Sequence, residues 1–185
     1  MNKLQRAAGY HSAMAAIHPK PKPVKADRPR KPANIKRVKK LDPDYWFSLC
    51  VRERANWTCE CCGRHYEPII SEVTGNPANP GLHCSHYIGR ANYSVRFDPM
   101  DADAHCYGCH AKFEGNPHIF REWKLKRIEQ ELYDILIEKS EDIMAGKQAR
   151  REKQEIAEHY KHEYSMMMQR RAQGFTGRIE FVGYL

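Results

Sequence analysis

The sequence predicts a small α+β domain stapled by zinc, with helices on either side and a basic arm ahead of it. Three observations predict this. Two Cys-x-x-Cys pairs, Cys59/Cys62 and Cys106/Cys109, bracket a stretch of short strand-like runs and turn residues. Apolar residues repeat at helical spacing before the first pair and after the second. Apolar residues make up 41% of the chain and charged residues 29%, the balance of a folded domain rather than of a membrane protein.

Charge divides the 185 residues. Twelve of the 31 Lys and Arg residues but one of the 23 acids fall within residues 1–40, so this segment carries +11 and the remainder −3. Residues 18–40 mix Lys and Arg with proline, which denies the stretch helix and sheet hydrogen bonds while like charges extend it. The expected organisation is a basic, largely disordered arm over 1–40, a zinc-bound domain over 41–144 and a charged helical extension over 145–185. Such an arm suits a polyanion, and nucleic acid above all. The N-terminus has no apolar signal-peptide core, and no apolar run approaches a membrane span, so the expectation is a cytoplasmic protein with no membrane partner. Seven cysteines, an odd number arranged in Cys-x-x-Cys pairs, favour zinc in a reducing compartment over disulfides.

The elements follow in order. Asp42-Pro43 reads as an N-cap with proline at the first helical position, and Tyr45, Trp46, Leu49 and Cys50 continue that helix to about Ala55. Residues 64–82 carry Pro68, Gly75-Asn76-Pro77 and Asn79-Pro80-Gly81, a loop with one short strand over 69–73. Residues 82–88 have β character, and 89–105 read as irregular. The second cysteine pair opens a helix over about 107–113. Asn116-Pro117 repeats the cap signal, and the pattern from Ile119 to Leu136 predicts a helical pair or one kinked helix to about residue 140. Residues 147–172 predict a long charged helix with a seam of Ile156, Tyr160, Tyr164 and Met167 or Met168, which permits a homodimer or packing back on the domain. The last twelve residues read as one strand.

Each Cys-x-x-Cys supplies two thiolates from one tight turn, and two such turns close a tetrahedral four-sulfur shell. The expected ligands are Cys59, Cys62, Cys106 and Cys109. Cys61 competes within the first pair but breaks its spacing, and Cys50 and Cys84 are expected to be buried thiols. In so small and loop-rich a domain the zinc supplies much of the folding energy.

Between and after the pairs stand the residues of a second centre: His86 in the short strand, Asp101 five residues before Cys106, and His110 at the start of the helix. This order resembles the ββα-metal, or HNH, arrangement of treble-clef nucleases, in which a β-hairpin and the following helix hold a histidine over a metal. The resemblance implies roles. His86 is the general base, since a neutral imidazole takes a proton from water at physiological pH. His110 binds a catalytic magnesium or manganese ion, with Glu114 one helical turn later on the same face. Asp101 stands where these proteins carry the asparagine that fixes the hairpin loop, and Ser85 stands where they carry an Asp or His ligand. His83 shares a strand face with Ser85 and is the alternative ligand.

The run from His83 to Arg90, then Arg96-Phe97-Asp98, then Cys106-x-x-Cys109 is similar to the phage lambda-type NinG (Rap) recombination family, across roughly residues 45–140. That family implies an endonuclease cutting branched DNA such as recombination junctions. His110 replaces the family's asparagine, and the arm lacks the family's N-terminal cysteine cluster. Arg90, Arg96 and Lys112 are the expected phosphate contacts, with Tyr87 or Tyr93 as stacking partners for an unpaired base. Two rivals accompany this expectation: a non-catalytic zinc module that binds nucleic acid, and a phage HNH nuclease serving DNA packaging or host attack.

Overall fold

The computed structural model describes residues 42–184. The basic arm and its expected disorder lie outside the described residues. Within them the chain forms five helices and two small two-stranded sheets: α1 (Pro43–Arg54), β1 (Ile69–Ile70), β2 (Pro77–Ala78), β3 (Leu82–His86), β4 (Ala102–Cys106), α2 (Tyr107–Gly115), α3 (Pro117–Glu141), α4 (Ile143–Arg151) and α5 (Lys153–Ala172). No described helix is long and apolar enough to cross a membrane.

The expected cap forms: Asp42 Oδ1 accepts from Asp44 N at 3.1 Å and Pro43 occupies the first turn. The helix ends in a reversal held by two non-glycine residues in left-handed conformation, Asn56 (φ 48°) and Trp57 (φ 53°). Such backbone costs about 1–3 kcal/mol per residue and persists where its surroundings hold it. Here Trp57 is buried, its Nε1 donates to Glu53 Oε2 at 2.9 Å, and its carbonyl accepts from Tyr66 N at 2.8 Å. The reversal delivers the chain directly into the first cysteine turn.

β3 and β4 pair antiparallel, with Leu82 opposite Cys106 and His86 opposite Ala102. The segment expected to be irregular therefore contains a strand. Its sequence, Ala-Asp-Ala-His-Cys, has no β-branched residue, so propensity is silent. Pairing with β3 and burial of all five residues make the strand instead. α2 continues from β4 without a break, so strand, strand and helix are consecutive.

The helix after Asn116 takes one of its two expected forms, and the long charged helix differs from expectation. α3 is one kinked helix, broken at Glu129 (φ 64°, ψ 168°). The long charged helix is two, α4 and α5, parted at Glu152. Ile156, Tyr160, Tyr164 and Met167 are buried, and α5 packs along α1. Phe47 of α1 and Tyr160 of α5 meet edge to face, 5.0 Å apart, and Cys50 Sγ donates to the Tyr160 carbonyl at 3.3 Å. The apolar seam is thus covered by the chain's own first helix. Residues 173–184 form no strand. They run as an extended tail whose Ile179 and Phe181 enter the same core.

Candidate functional site

The four expected cysteines converge. The Sγ atoms of Cys59, Cys62, Cys106 and Cys109 all lie within 4.8 Å of one another, and Cys61 is not part of the set. Cys62 Sγ and Cys106 Sγ are 3.8 Å apart. A tetrahedral zinc with bonds of about 2.3 Å separates its sulfurs by about 3.8 Å, so the shell has the size and the donor chemistry that suit this ion. The first turn closes through Gly63 N donating to Cys59 O at 2.8 Å, with Gly63 itself at φ 72°, a conformation that favours glycine. Cys106 N donates to Cys59 Sγ at 3.3 Å. Against the burial that raises it, the Cys109 backbone N–H, the Tyr66 hydroxyl and the neighbouring thiols bring the Cys106 thiol down to about 6.

Glu60, inside the first turn, was not singled out by sequence reasoning, yet it ties the turn to the domain. Its N–H donates to Ala104 O and its Oε2 accepts from Ala104 N, each at 2.8 Å. Its carboxylate also receives Arg54, Arg127 and Arg178, from α1, α3 and the tail. Burial works to raise its pKa, but these charges and the Ala104 N–H prevail and hold the carboxyl near 2.

A cavity of about 740 Å³ opens along β3, bounded by α1, α2 and the loops at 79–80 and 89–90. Among the described residues no strand pairs with this edge of β3. His83, His86, Arg90, His110 and Glu114 all line the cavity, as do Asp44 and Arg52. His83 Nδ1 and His110 Nδ1 are 3.4 Å apart, and His110 Nε2 lies 3.3 Å from Glu114 Oε1. Contact is pairwise along this row. Among the described residues, the cysteines alone bring three or more ligand atoms within 4.8 Å of each other. Burial, then the neighbouring His110 and Arg52, lower the His83 pKa.

His86 stands on the opposite face of β3 from His83, since side chains alternate along a strand. It faces α1, its ring 5.9 Å from that of Phe47. Its Nε2 donates to Arg96 O at 2.9 Å, and Nδ1 is buried without a partner. Burial lowers its pKa to about 4, so the imidazole is neutral at physiological pH. Ser85 is wholly buried and its Oγ has no partner.

The remaining expected site residues lie elsewhere or are engaged. Asp101 is wholly buried and does not line the cavity. Its Oδ1 accepts from Ile88 N at 2.7 Å and its carbonyl from Tyr87 N at 2.9 Å, the contacts of a residue that fixes the β3–β4 loop. Burial raises its pKa to about 7. Arg96 is clasped by Asp44 and donates to Arg90 O at 2.7 Å, so its guanidinium is already satisfied. Arg90 and Lys112 are exposed. Neither expected stacking ring is bare: Tyr87 packs on Phe120 and shares a 2.7 Å hydrogen bond with Tyr133, and Tyr93 is covered by cations.

No family model, curated protein or solved structure matches this chain.

Proposed function

We propose that the chain is a metal-dependent DNA endonuclease of HNH type, phage-encoded and acting on branched DNA in recombination within the bacterial cytoplasm. One arrangement carries the reading. β3, β4 and α2 follow as strand, strand and helix, the cysteine shell clasps the first turn of that helix, and His86 ends β3 on the cavity that His83, His110 and Glu114 also line.

The four cysteines would hold a structural zinc, which would tie the Cys59–Cys62 turn to the start of α2 and so keep α2 beside β3. His86 is the general base. With Nε2 donating to the Arg96 carbonyl, the free lone pair is on Nδ1, and that nitrogen takes the proton from the attacking water. Nδ1 is covered by its neighbours, so DNA binding must open a path to it. His110 would hold the catalytic cation, with His83 beside its Nδ1 or Glu114 beside its Nε2 as the second ligand. Imidazole ligation fits manganese better than magnesium, which favours oxygen ligands. Bound there, the cation supplies charge stabilisation to the scissile phosphate and the leaving 3′ oxygen. Arg90 and Lys112, both exposed, contact flanking phosphates.

A second reading, a non-catalytic zinc module that binds nucleic acid, draws on Ser85, which is sealed from the cavity at the position where HNH proteins place a metal ligand. A nicking assay with magnesium or manganese on supercoiled plasmid decides between them, comparing wild type with His86→Ala. Cleavage by wild type, reduced about 10²- to 10⁴-fold by the substitution, supports the nuclease. Binding by both variants with cleavage by neither establishes the binding module. Comparing four-way junctions with linear and nicked duplexes separates recombination from packaging or host attack.

A further inference from the structure

We propose that the surface around Tyr93, formed by α4 and the start of α5, is a second docking site for the phosphodiester backbone of duplex DNA. The inference rests on the nucleic-acid reading above but not on catalysis. Arg150 Cζ sits 4.7 Å from the Tyr93 ring centroid and Lys153 Nζ 5.3 Å from it. Arg96 Cζ covers the same ring at 4.7 Å. The Arg150 and Lys153 charges are therefore within about 10 Å of each other, the screening length at 0.1 M salt, and repel.

Asp44 neutralises Arg96. Arg150, Lys153 and neighbouring Lys147 are exposed and form no ion pair among the described residues. This concentration of positive charge belongs to a body that, outside the arm, is net −3. Beside it runs a groove of about 310 Å³ between residues 91–94 and α4, which Lys147 and Arg150 help to line. Helix and loop approach closely there: a Cβ on Gly146 would stand 3.1 Å from Ser94 Oγ.

Continuity with the cavity selects the occupant. Arg96 touches Tyr93 on one side and Asp44 on the other, and Asp44 and Arg90 line the His86 cavity. A backbone leaving the cavity thus passes onto cations that the tyrosine ring already orders, which lowers the cost of fixing long side chains on binding. A polyanion also relieves their mutual repulsion and releases its own counterions.

The test measures binding of the full-length chain to a labelled duplex by fluorescence anisotropy, without added divalent cation, across a salt series. The variant R150Q/K153Q is compared with K126Q/R170Q, which removes the same charge from exposed positions on α3 and the C-terminal end of α5. Thermal melting checks that all three proteins are folded. The expected result is that R150Q/K153Q flattens the slope of log Kobs against log salt by about 2 and weakens binding about tenfold or more, while the control pair leaves the slope near wild type. Equal effects of the two pairs would overturn the proposal and leave the nuclease reading standing. Failure of the wild type to bind duplex overturns the docking proposal, and the nuclease reading then stands or falls by its nicking assay. Loss of binding to phosphatidylserine vesicles by R150Q/K153Q, with duplex binding intact, assigns the face to a membrane surface instead.

Discussion

Asp44 holds Arg96 with both carboxylate oxygens, at 2.9 and 2.6 Å, and so joins the first turn of α1 to the loop between β3 and β4. The clasp reaches further than its two residues. The carbonyl of the same Arg96 accepts the proton on His86 Nε2, so Asp44 positions the imidazole through one intermediary. Against the burial that would raise it, Arg96 and then Arg90 hold the Asp44 carboxyl below the usual range.

Asp44→Asn is therefore expected to destabilise the fold by about 1–2 kcal/mol, the range for a charge-assisted hydrogen bond that is partly exposed. Urea denaturation measures this. It also loosens His86, whose ring signals in a proton NMR titration should move toward the ordinary histidine midpoint. An unmoved His86 titration would show that the clasp is structural only.

Metal removal should unfold the domain. One zinc per chain is expected by elemental analysis, with Cys61→Ser retaining it and Cys62→Ser or Cys106→Ser losing it. Site affinities of this class, about 10–16 kcal/mol, are as large as the whole stability of a domain, about 5–15 kcal/mol, so stripping the ion by a strong chelator should abolish the cooperative melt. A sharp melt surviving complete zinc loss would refute the structural role.

Asp101 predicts an unusual pH dependence. Its carboxyl is raised to about 7, so the folded state binds its proton more tightly than the unfolded state does. The stability this provides is full below the ordinary aspartate pKa and is lost as pH rises toward 7. Asp101→Asn keeps the acceptor for Ile88 N and removes the cost of ionising a buried carboxylate. At about 1.4 kcal/mol per pKa unit, the roughly two units between pH 5 and 7 should make the substitution about 2.6 kcal/mol more stabilising at pH 8 than at pH 5. Equal effects at both pH values would show that Asp101 does not titrate in this window.

His86 and His105 act in the opposite sense. Burial lowers each to about 4, so both are neutral when folded, and the stability they contribute is present above about 6.5 and is lost as pH falls toward 4. His105 is enclosed by Phe113, Phe120 and Trp123, and neither ring nitrogen has a partner. His105→Phe should reduce acid sensitivity between pH 6.5 and 4, read from melting temperature against pH. A profile parallel to wild type would count against the burial argument.

The pair Lys124–Asp103, 2.6 Å apart and buried on both sides, fastens α3 to β4. Lys124→Met leaves the carboxylate with only Arg54, at 3.6 Å, and should cost about 3–5 kcal/mol in denaturant unfolding. A cost below about 1 kcal/mol would show that Arg54 alone suffices.

Local signals made much of this legible in advance. Asp42-Pro43 and Asn116-Pro117 mark helix starts because a cap and a fixed φ act within one turn. Cys59, Cys62, Cys106 and Cys109 were identifiable as a set because x-x spacing brings two thiolates together whatever surrounds them. Glu114 stands beside His110 because one helical turn separates them, whereas the contact of His83 with His110 comes from packing of β3 against α2.

What depended on distant parts of the chain was not legible. β4 has no strand propensity and exists because β3 lies beside it. The seam of α5 carried no sign of whether it meets a second copy or its own α1, since both bury the same apolar area. Arg96 reads as a free cation until the fold sets Asp44, 52 residues earlier, against it. By itself the sequence determined the cysteine shell, the cap positions and the roster of histidines, all set by covalent spacing. Only the tertiary structure decided that His86 turns toward α1 and Asp101 turns inward, because burial and hydrogen-bond partners come from residues that spacing does not relate.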